Sequence, residues 1–327
     1  MLFRSVEEYL SKGLEKGAHS PEDFKSNMKY ILSMMEKTGS NNEMKGLLEV
    51  LNGKYLQAKL AGDTIRNPEV LPSGYNLFQF DPRFIPTRAA WKRGFEIAEN
   101  TLKKYKEDQG EYPQSTAVIL WGLETSRTQG ETVGQILGYF GVRLKKMKNA
   151  WEPAYEIIPP EELNRPRIDV VINICGFFRD MFPNIIEELN KILKEISLLH
   201  EGEESNYFIK NSNRIYEELL KKGYDKIEAE ELSRARIFGP GEGEYGTGIS
   251  KLIETKNWER EEQIGEAYIK SLKHVYSENF RGRESEELFG MNLMAVDIVS
   301  QIRSNHEYEV TDLDHYYEYF GGLSKSV

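Results

Sequence analysis

Acidic and basic side chains gather in the stretch from Gly122 to Val142, GLETSRTQGETVGQILGYFGV, which continues the apolar run TAVILWG. Glu124 and Glu131 supply carboxylates that can accept protons or bind a metal. Arg127 supplies a guanidinium that can donate hydrogen bonds to a ligand carboxylate. If a strand ends here and a helix begins, these side chains converge on the edge of a sheet where α/β proteins bind ligands. The sequence therefore nominates this turn as a site.

The same stretch also fits an ordinary helix entry. In that interpretation Thr125, Ser126 or Thr128 caps the helix, and the neighbouring glutamates complement the partial positive charge of its amino end. Caps of this kind are far commoner than ligand sites, so the spacing alone leaves both interpretations open.

A second polar turn, CGFFRDMFPN, follows the apolar run RIDVVINI. Phe177 and Phe178 beside Arg179 suit a flat ligand that carries carboxylates, because aromatic faces stack and a guanidinium binds carboxylates with two parallel hydrogen bonds. Core packing of the phenylalanines and an exposed pair of Arg179 with Asp180 explain the same residues without a ligand. We expect Cys175 to be a small buried hydrophobe rather than a nucleophile.

The glycine-rich stretch GPGEGEYGTG, residues 239–248, is either a surface loop or a mobile lid with Arg236, Glu242 and Glu244 at its edges. It lacks the order G-x-x-x-x-G-K-[ST] that cradles nucleotide phosphates, and we find that pattern nowhere in the chain. If the reaction uses ATP, another subunit is expected to bind it.

Near the carboxyl end, SNHEYEVTDLDHYYEYFGG gathers His306, Asp312, Asp314, His315 and Glu318. Imidazole and carboxylate groups suit divalent metals such as cobalt, nickel or zinc, although the spacing matches no compact ligand motif such as H-E-x-x-H. His315 is the best candidate for a metal ligand, because histidine also exchanges protons near neutral pH. A capped helix start is the structural alternative.

The elements that position these residues belong to an α/β protein. The runs STAVILWG and RIDVVINICG, each followed by a helical pattern, predict parallel strands with flanking helices, and AYEIIPPEEL is expected to add a third short strand. Helical spacing predicts a helical lead-in over 1–70. Residues 71–327 are predicted to form the α/β domain, with a helix-rich carboxyl-terminal part after Ile185.

Composition narrows the function classes. Lysine and arginine total 43 against 53 aspartate and glutamate, so the net charge of −10 disfavours nucleic acid and anionic membranes as partners. The single cysteine, Cys175, cannot form an intramolecular disulfide. Neither a secretory signal nor an apolar run of about 18 residues is visible, so we expect a cytoplasmic protein without a membrane span.

The long motifs of this chain resemble the large subunit of cobaltochelatase, which is related to the large subunit of magnesium chelatase. They occur in the family's order and together cover roughly residues 66–322: RNPEVLPSGYNLFQFDPRFIPTRAAW, LWGLETSRTQGETVGQILGYFGVR, RPRIDVVINICGFFRDMFPN, ARIFGPGEGEYGTGI and DLDHYYEYFGG. ETSRTQGE and ICGFFRDMFPN are more similar to the cobalt branch. Family members are usually much longer, so the chain is similar to the carboxyl-terminal portion of the subunit.

The resemblance implies ATP-dependent insertion of cobalt into hydrogenobyrinic acid a,c-diamide during cobalamin biosynthesis. The large subunit would hold the tetrapyrrole and the metal, while separate AAA-type ATPase subunits bind ATP with magnesium, so this chain alone is expected to be inactive. The residues assigned to proton or metal handling are Glu124, Glu131 and His315, with Asp314 as a further metal ligand. Those assigned to the tetrapyrrole or to the shell around it are Arg127, Thr128, Phe177, Phe178 and Arg179.

Two other functions remain open from the sequence. The chain can be a scaffold module that docks the ATPase subunits, a role that an acidic surface and long charged helices suit. It can also be a magnesium chelatase-like subunit that acts on protoporphyrin.

Overall fold

The protein is described by a computed structural model that covers residues 21–62, 64, 67–78, 81–145, 154–256, 258–303, 313 and 316–327. By packing, the chain divides into two compact units, Met1–Phe80 and Asp81–Val327. The boundary predicted after residue 70 stays a prediction, because compact packing does not measure which part of a chain folds independently.

The first unit is mainly helical. Its elements are α1 (Pro21–Gly39), α2 (Asn42–Leu51), β1 (Lys59–Leu60), a 3-10 turn (Pro68–Val70) and β2 (Asn76–Phe78), and β1 pairs in parallel with β2. Asn41 caps α2, because its side chain accepts a hydrogen bond from the backbone N–H of Met44.

Both helices that the structure describes in this unit carry an apolar stripe that is exposed to solvent. Large apolar residues recur at the three- and four-residue spacing of a helix face. Their exposed fractions run from 48% to 73% in Ile31, Leu32 and Met35 of α1 and Met44, Leu47, Leu48 and Leu51 of α2. Exposed apolar stripes of this kind are typical of surfaces that take part in binding.

The second unit contains the remaining strands and helices. The strands are β3 (Ser115–Leu120), β4 (Val142–Lys145), β5 (Ala154–Ile157), β6 (Asp169–Ile174), β7 (Ile237–Gly239), β8 (His274–Tyr276), β9 (Arg281–Glu284) and β10 (Val296–Ser300). The helices are α3 (Arg88–Gln109), α4 (Gly122–Thr128), α5 (Glu131–Phe140), α6 (Pro160–Leu163), α7 (Gly176–Met181), α8 (Pro183–Ser197), α9 (Tyr207–Lys221), α10 (Lys226–Arg234), α11 (Ile249–Glu254), α12 (Glu262–Leu272), α13 (Glu286–Leu293) and α14 (Gly322–Ser324). A 3-10 turn (Pro82–Phe84) and a π-helix (Tyr316–Gly321) complete it.

A six-stranded sheet forms the centre of this unit, in the order β10-β3-β6-β7-β8-β9. The first four strands run parallel, and β8 and β9 are antiparallel to their neighbours. Every residue of β3 and β6 is buried, as expected for central strands that are covered on both faces. The prediction of an α/β fold with a parallel-type sheet and flanking helices is confirmed. Within the described residues, no helix is both long and apolar enough to cross a membrane.

Two details of the predicted sheet differ from the structure. The stretch AYEI does form a strand, β5, but it pairs antiparallel with β4 in a separate two-stranded sheet. The part of the chain after Ile185 also supplies β7 to β10. These strands are three to five residues long, too short for their periodicity to stand out from the helices around them.

A buried ion pair fixes β7 beside β6. Arg236, directly before β7, is fully buried, and its Nε donates to Oδ1 of Asp169 at 2.8 Å. The Asp169 carboxylate also accepts from Asn211 at 2.9 Å, and Ser212 accepts from the Arg236 guanidinium at 3.0 Å. The placement of Arg236 at the edge of a mobile lid is therefore wrong: the side chain is part of the core, and its partner lies 67 residues away in the sequence.

We predict that Asp169→Asn lowers the free energy of unfolding by about 3–5 kcal/mol, because it leaves the guanidinium of Arg236 buried without a counter-charge. Glu218→Gln is the matched control: it removes an exposed pair with Lys221 and should cost less than about 1 kcal/mol. Urea unfolding of both variants measures the difference. Equal losses in the two variants would contradict a structural role for the buried pair.

Candidate functional site

Three turns and the start of one strand meet at the carboxyl edge of the sheet. α4 begins directly after β3, α7 begins directly after β6, and the glycine-rich loop follows β7. His274 joins them, because β8 is antiparallel and pairs His274 with Gly239. This is the edge at which parallel α/β sheets bind ligands, as the sequence predicted for the first two turns.

The first two turns are in direct contact. The backbone N–H of Gly122 points at Sγ of Cys175 over 3.4 Å, and Phe178 donates to the same sulfur at 3.4 Å. A Cβ atom at Gly122 would lie only 2.2 Å from the ring of Phe177. Any side chain at position 122 would therefore displace Phe177. Cys175 is buried and caps α7, as expected of a small buried hydrophobe.

Glu124 is a buried carboxyl without a cationic partner in the described part of the chain. Its residue is 2% exposed, and Oγ1 of Thr128 donates to it at 2.8 Å, with Thr125 more distant at 3.5 Å. Burial raises the pKa of Glu124 to about 7, the hydrogen bond from Thr128 opposes that shift, and the charge of Glu131 adds to it. The carboxyl is thus poised to gain and lose a proton near neutral pH.

Thr128 ends α4, and Glu131 begins α5 after the N-cap residue Gly130. Oγ1 of Thr128 accepts from the backbone N–H of Gly130 at 3.3 Å and of Glu131 at 3.0 Å, so it links the start of α5 to the carboxyl of Glu124. The side chain of Glu131 is 10% exposed and lies 3.3 Å from Nε of Arg93. The stretch thus contains both a helix start and a buried carboxyl, and its role as a ligand site stays a prediction.

The two arginines assigned to the tetrapyrrole differ in availability. Arg127 is exposed and contacts no acid among the residues that the structure describes. The guanidinium of Arg179 is engaged: it donates to both carboxylate oxygens of Asp180 at 2.7 and 3.2 Å. Its Nη1 also donates to the backbone carbonyls of Pro240, Gly241 and Glu244. Arg179 thus fixes the glycine-rich loop to α7, whereas Arg127 is free to meet a ligand carboxylate.

The two phenylalanines assigned to the ligand also differ. Phe177 is 38% exposed at the carboxyl edge, whereas Phe178 is fully buried with its ring 5.0 Å from that of Phe182. In this conformation only Phe177 is accessible to a ligand, and Phe178 belongs to the packing beneath it.

Sequence reasoning missed two residues at this edge, His274 and Tyr245. His274 is 8% exposed; its Nδ1 is buried without a hydrogen-bond partner in the described residues, and its Nε2 lies 3.6 Å from Glu284. Tyr245 is the single aromatic residue of the stretch GPGEGEYGTG, which is the one signal that singles it out. Nothing in the three-residue strand HVY marks His274 in advance.

The predicted metal ligands lie outside the described residues. These are Asp314 and His315, and the flanking His306 and Asp312 are outside as well. Glu318 is described, and its carboxylate accepts from the backbone N–H of Ser250 at 3.2 Å. Over the described ranges, no three histidine, cysteine, aspartate or glutamate side chains cluster closely enough to hold a metal ion. The metal site therefore stays a prediction.

A separate cavity of about 490 Å³ lies between α8 and the hairpin of β8 and β9. Ile186 and Tyr276 contribute apolar surface, and the ion pair of Arg281 with Glu187, 2.7 Å long, joins two residues of its lining. Arg179 and Glu242 also line it, so the cavity adjoins the glycine-rich loop. Its size suits part of a small-molecule ligand.

Comparison with known proteins defines the class. The family model CobN/Magnesium Chelatase matches residues 4–327. The aerobic cobaltochelatase subunit CobN of Sinorhizobium sp. is 32% identical over 98% of this chain and 26% of its own length. The magnesium-chelatase subunit ChlH, chloroplastic, of Oryza sativa subsp. japonica is 35% identical over 85% of this chain and 20% of its own length.

A solved structure agrees with these relatives. The catalytic subunit of cobaltochelatase from Mycobacterium tuberculosis superposes with a TM-score of 0.78 at 29% identity, over 88% of this chain and 24% of that one. The chain belongs to the CobN/magnesium chelatase family of metal-chelatase large subunits. It spans about a quarter of the length of the curated relatives that it matches.

The raised pKa of Glu124 predicts a pH-dependent stability. The folded state binds this proton more tightly than the unfolded chain, so the stabilisation is fully present below pH 4.5 and is lost as the pH rises through about 7. Glu124→Gln keeps a neutral side chain of similar shape. Its free energy of unfolding should exceed that of the native chain by an amount that grows by about 3 kcal/mol across this range. The other titratable groups are the same in the native protein and the variant, so their contributions cancel in the difference between the two unfolding free energies. A difference that is independent of pH would contradict the assignment.

Proposed function

We propose that this chain is the part of an ATP-dependent cobaltochelatase large subunit that handles protons and binds the tetrapyrrole as cobalt is inserted into hydrogenobyrinic acid a,c-diamide. The observation that supports it most directly is the Glu124–Thr128–Glu131 arrangement at the carboxyl edge of the sheet. In a member of a metal-chelatase family, a buried carboxyl with a pKa of about 7 is a group suited to accept protons from the macrocycle.

The chemistry explains why two acids serve better than one. Insertion of a divalent metal displaces the protons of the pyrrole nitrogens, and these protons must leave the site. Glu124 is the acceptor in this proposal, because near neutral pH its ionised and neutral forms are close in energy. Glu131 is the more accessible of the two, so it passes protons to solvent and attracts the incoming cation. A cation that approaches would favour the ionised form of Glu124 and so prepare it to take the next proton.

The remaining site residues divide into contacts and supports. Arg127 pairs with a peripheral carboxylate of the macrocycle, and Phe177 contacts its ring. The supports are residues that hold these contacts in place without touching the ligand: Thr128, Phe178 and Arg179. Asp314 and His315 have the metal-binding role in this proposal, in which a carboxylate and an imidazole pass the metal ion to the ring as its substrate.

We propose cobalt rather than magnesium as the metal, because the turns ETSRTQGE and ICGFFRDMFPN resemble the cobalt branch of the family. The relatives named for cobalt and for magnesium have similar sequence identity to this chain. The competing proposal is therefore a magnesium chelatase-like subunit that acts on protoporphyrin. In both cases, AAA-type ATPase subunits supply the ATP-binding site, with magnesium bound alongside the nucleotide.

Titration of the chain with hydrogenobyrinic acid a,c-diamide, followed by the absorbance of the macrocycle, tests the proposal. We expect saturable binding that Arg127→Ala weakens about tenfold, because a charge-assisted contact to a carboxylate is lost. The matched control is Arg234→Ala, which removes an arginine that pairs with Glu230 just before the amino end of β7 and should leave the affinity unchanged. A folded chain that does not bind would contradict the proposal, and tighter binding of protoporphyrin would favour the magnesium alternative.

The apolar stripes of α1 and α2 favour a second candidate function, a scaffold that docks the ATPase subunits. Such a surface gains stability only when another polypeptide buries it, and each buried leucine contributes roughly 1.5–3 kcal/mol. This candidate places the proton-handling groups elsewhere in the complete subunit.

The scaffold candidate predicts that the immobilised chain retains purified ATPase subunits without any tetrapyrrole. Leu47→Glu combined with Leu51→Glu should abolish retention, because two charges enter the apolar face of α2. Arg127→Ala should retain the subunits as well as the native chain does. If the double variant still captures them, docking does not use this face.

A further inference from the structure

We propose that Tyr245 is a further binding residue, and that with Phe177 it forms a ring platform for one face of the tetrapyrrole. The inference rests on the proposed function, because it takes the ligand to be a planar macrocycle. Tyr245 belongs to the glycine-rich stretch 239–248, which the sequence predicted to be either a mobile lid or a surface loop.

Tyr245 is both exposed and held in place. The residue is 58% exposed, yet its hydroxyl donates to Oδ2 of Asp180 at 2.7 Å. The hydroxyl of Tyr319, a buried residue, donates to the backbone carbonyl of Tyr245 at 2.8 Å. The guanidinium carbon of Arg179 lies 5.5 Å from the ring centroid. A large exposed aromatic ring that its neighbours already orient loses little conformational freedom when a ligand covers it.

Phe177 borders the same turn and is held from below. Its ring lies against Gly122, where even one added carbon would sit 2.2 Å away. Gly176, the residue before Phe177, lies against Tyr245: a Cβ atom there would lie 2.8 Å from Cδ1 of Tyr245. Both aromatic residues thus adjoin the turn that follows the carboxyl end of β6.

This arrangement matches the chemistry of a macrocycle with charged substituents. Stacking on aromatic side chains suits the apolar face of the ring, while its carboxylates need cations at the periphery. Arg127 is exposed after β3 and can serve the periphery, whereas the hydrogen-bond donors of Arg179 are engaged by Asp180 and by the loop. Arg179 therefore acts through Tyr245, as a positioning residue.

The test uses hydrogenobyrinic acid a,c-diamide and protoporphyrin as separate probes, titrated into the intact chain and followed by macrocycle absorbance. For whichever probe binds the native chain, we expect Tyr245→Leu to weaken binding about tenfold, since an aromatic contact is lost. Tyr245→Phe keeps the ring and should bind within about twofold of the native chain. The matched control is Tyr112→Leu, because Tyr112 lies ahead of the amino end of β3 and also faces a cation, with Nζ of Lys106 4.3 Å from its ring centroid.

The outcomes separate this inference from the proposed function. If a probe binds and Tyr245→Leu binds as tightly as the native chain, the platform is overturned while tetrapyrrole binding stands. If Tyr245→Phe is as weak as Tyr245→Leu, the hydroxyl contact with Asp180 is the cause, and the platform is again overturned. If the folded native chain binds neither probe, both the platform and the proposed function fail. Far-ultraviolet circular dichroism of each variant verifies that it is folded.

Discussion

The contact between the Gly122 turn and the Gly176 turn is the constraint on which the rest of the site depends. With no room for a side chain at position 122, the carboxyl ends of β3 and β6 approach until the ring of Phe177 covers the backbone of the neighbouring turn. Cys175 strengthens this contact, because its sulfur accepts hydrogen bonds from both turns. Arg179 then attaches the glycine-rich loop, so three separate segments of the chain act as one surface.

The buried carboxyl of Glu124 is the opposite kind of feature, since it opposes stability. A carboxyl of this kind favours folding only while it is protonated, and two threonines offset part of the cost of its burial. Sites that work against stability in this way are characteristic of function. The exposed apolar stripes of α1 and α2 are a second departure from the rules for a soluble surface, of a kind typical of binding surfaces.

The sequence predicted the strands and turns around the candidate site better than the contacts that hold them together. β3 and β6 were found because each is a six-residue run buried on both faces, and the glycines that follow them mark the turns. The burial of Glu124 was not predictable, because it depends on how α4 packs against α5 and α7. Arg179 was nominated as a ligand group, but Asp180 and three carbonyls engage it. Its partners in the glycine-rich loop lie more than sixty residues away in the chain. Tyr245 could not be proposed from the sequence, because its orientation depends on the contacts that hold this loop against α7.

We propose that the tetrapyrrole binds at the carboxyl edge of the sheet. The most direct measurement is an experimental structure of the chain with hydrogenobyrinic acid a,c-diamide bound. We expect the macrocycle to lie beside the Gly122 and Gly176 turns, with a peripheral carboxylate at Arg127. A macrocycle seated instead in the cavity of about 490 Å³ between α8 and the hairpin of β8 and β9 would contradict it.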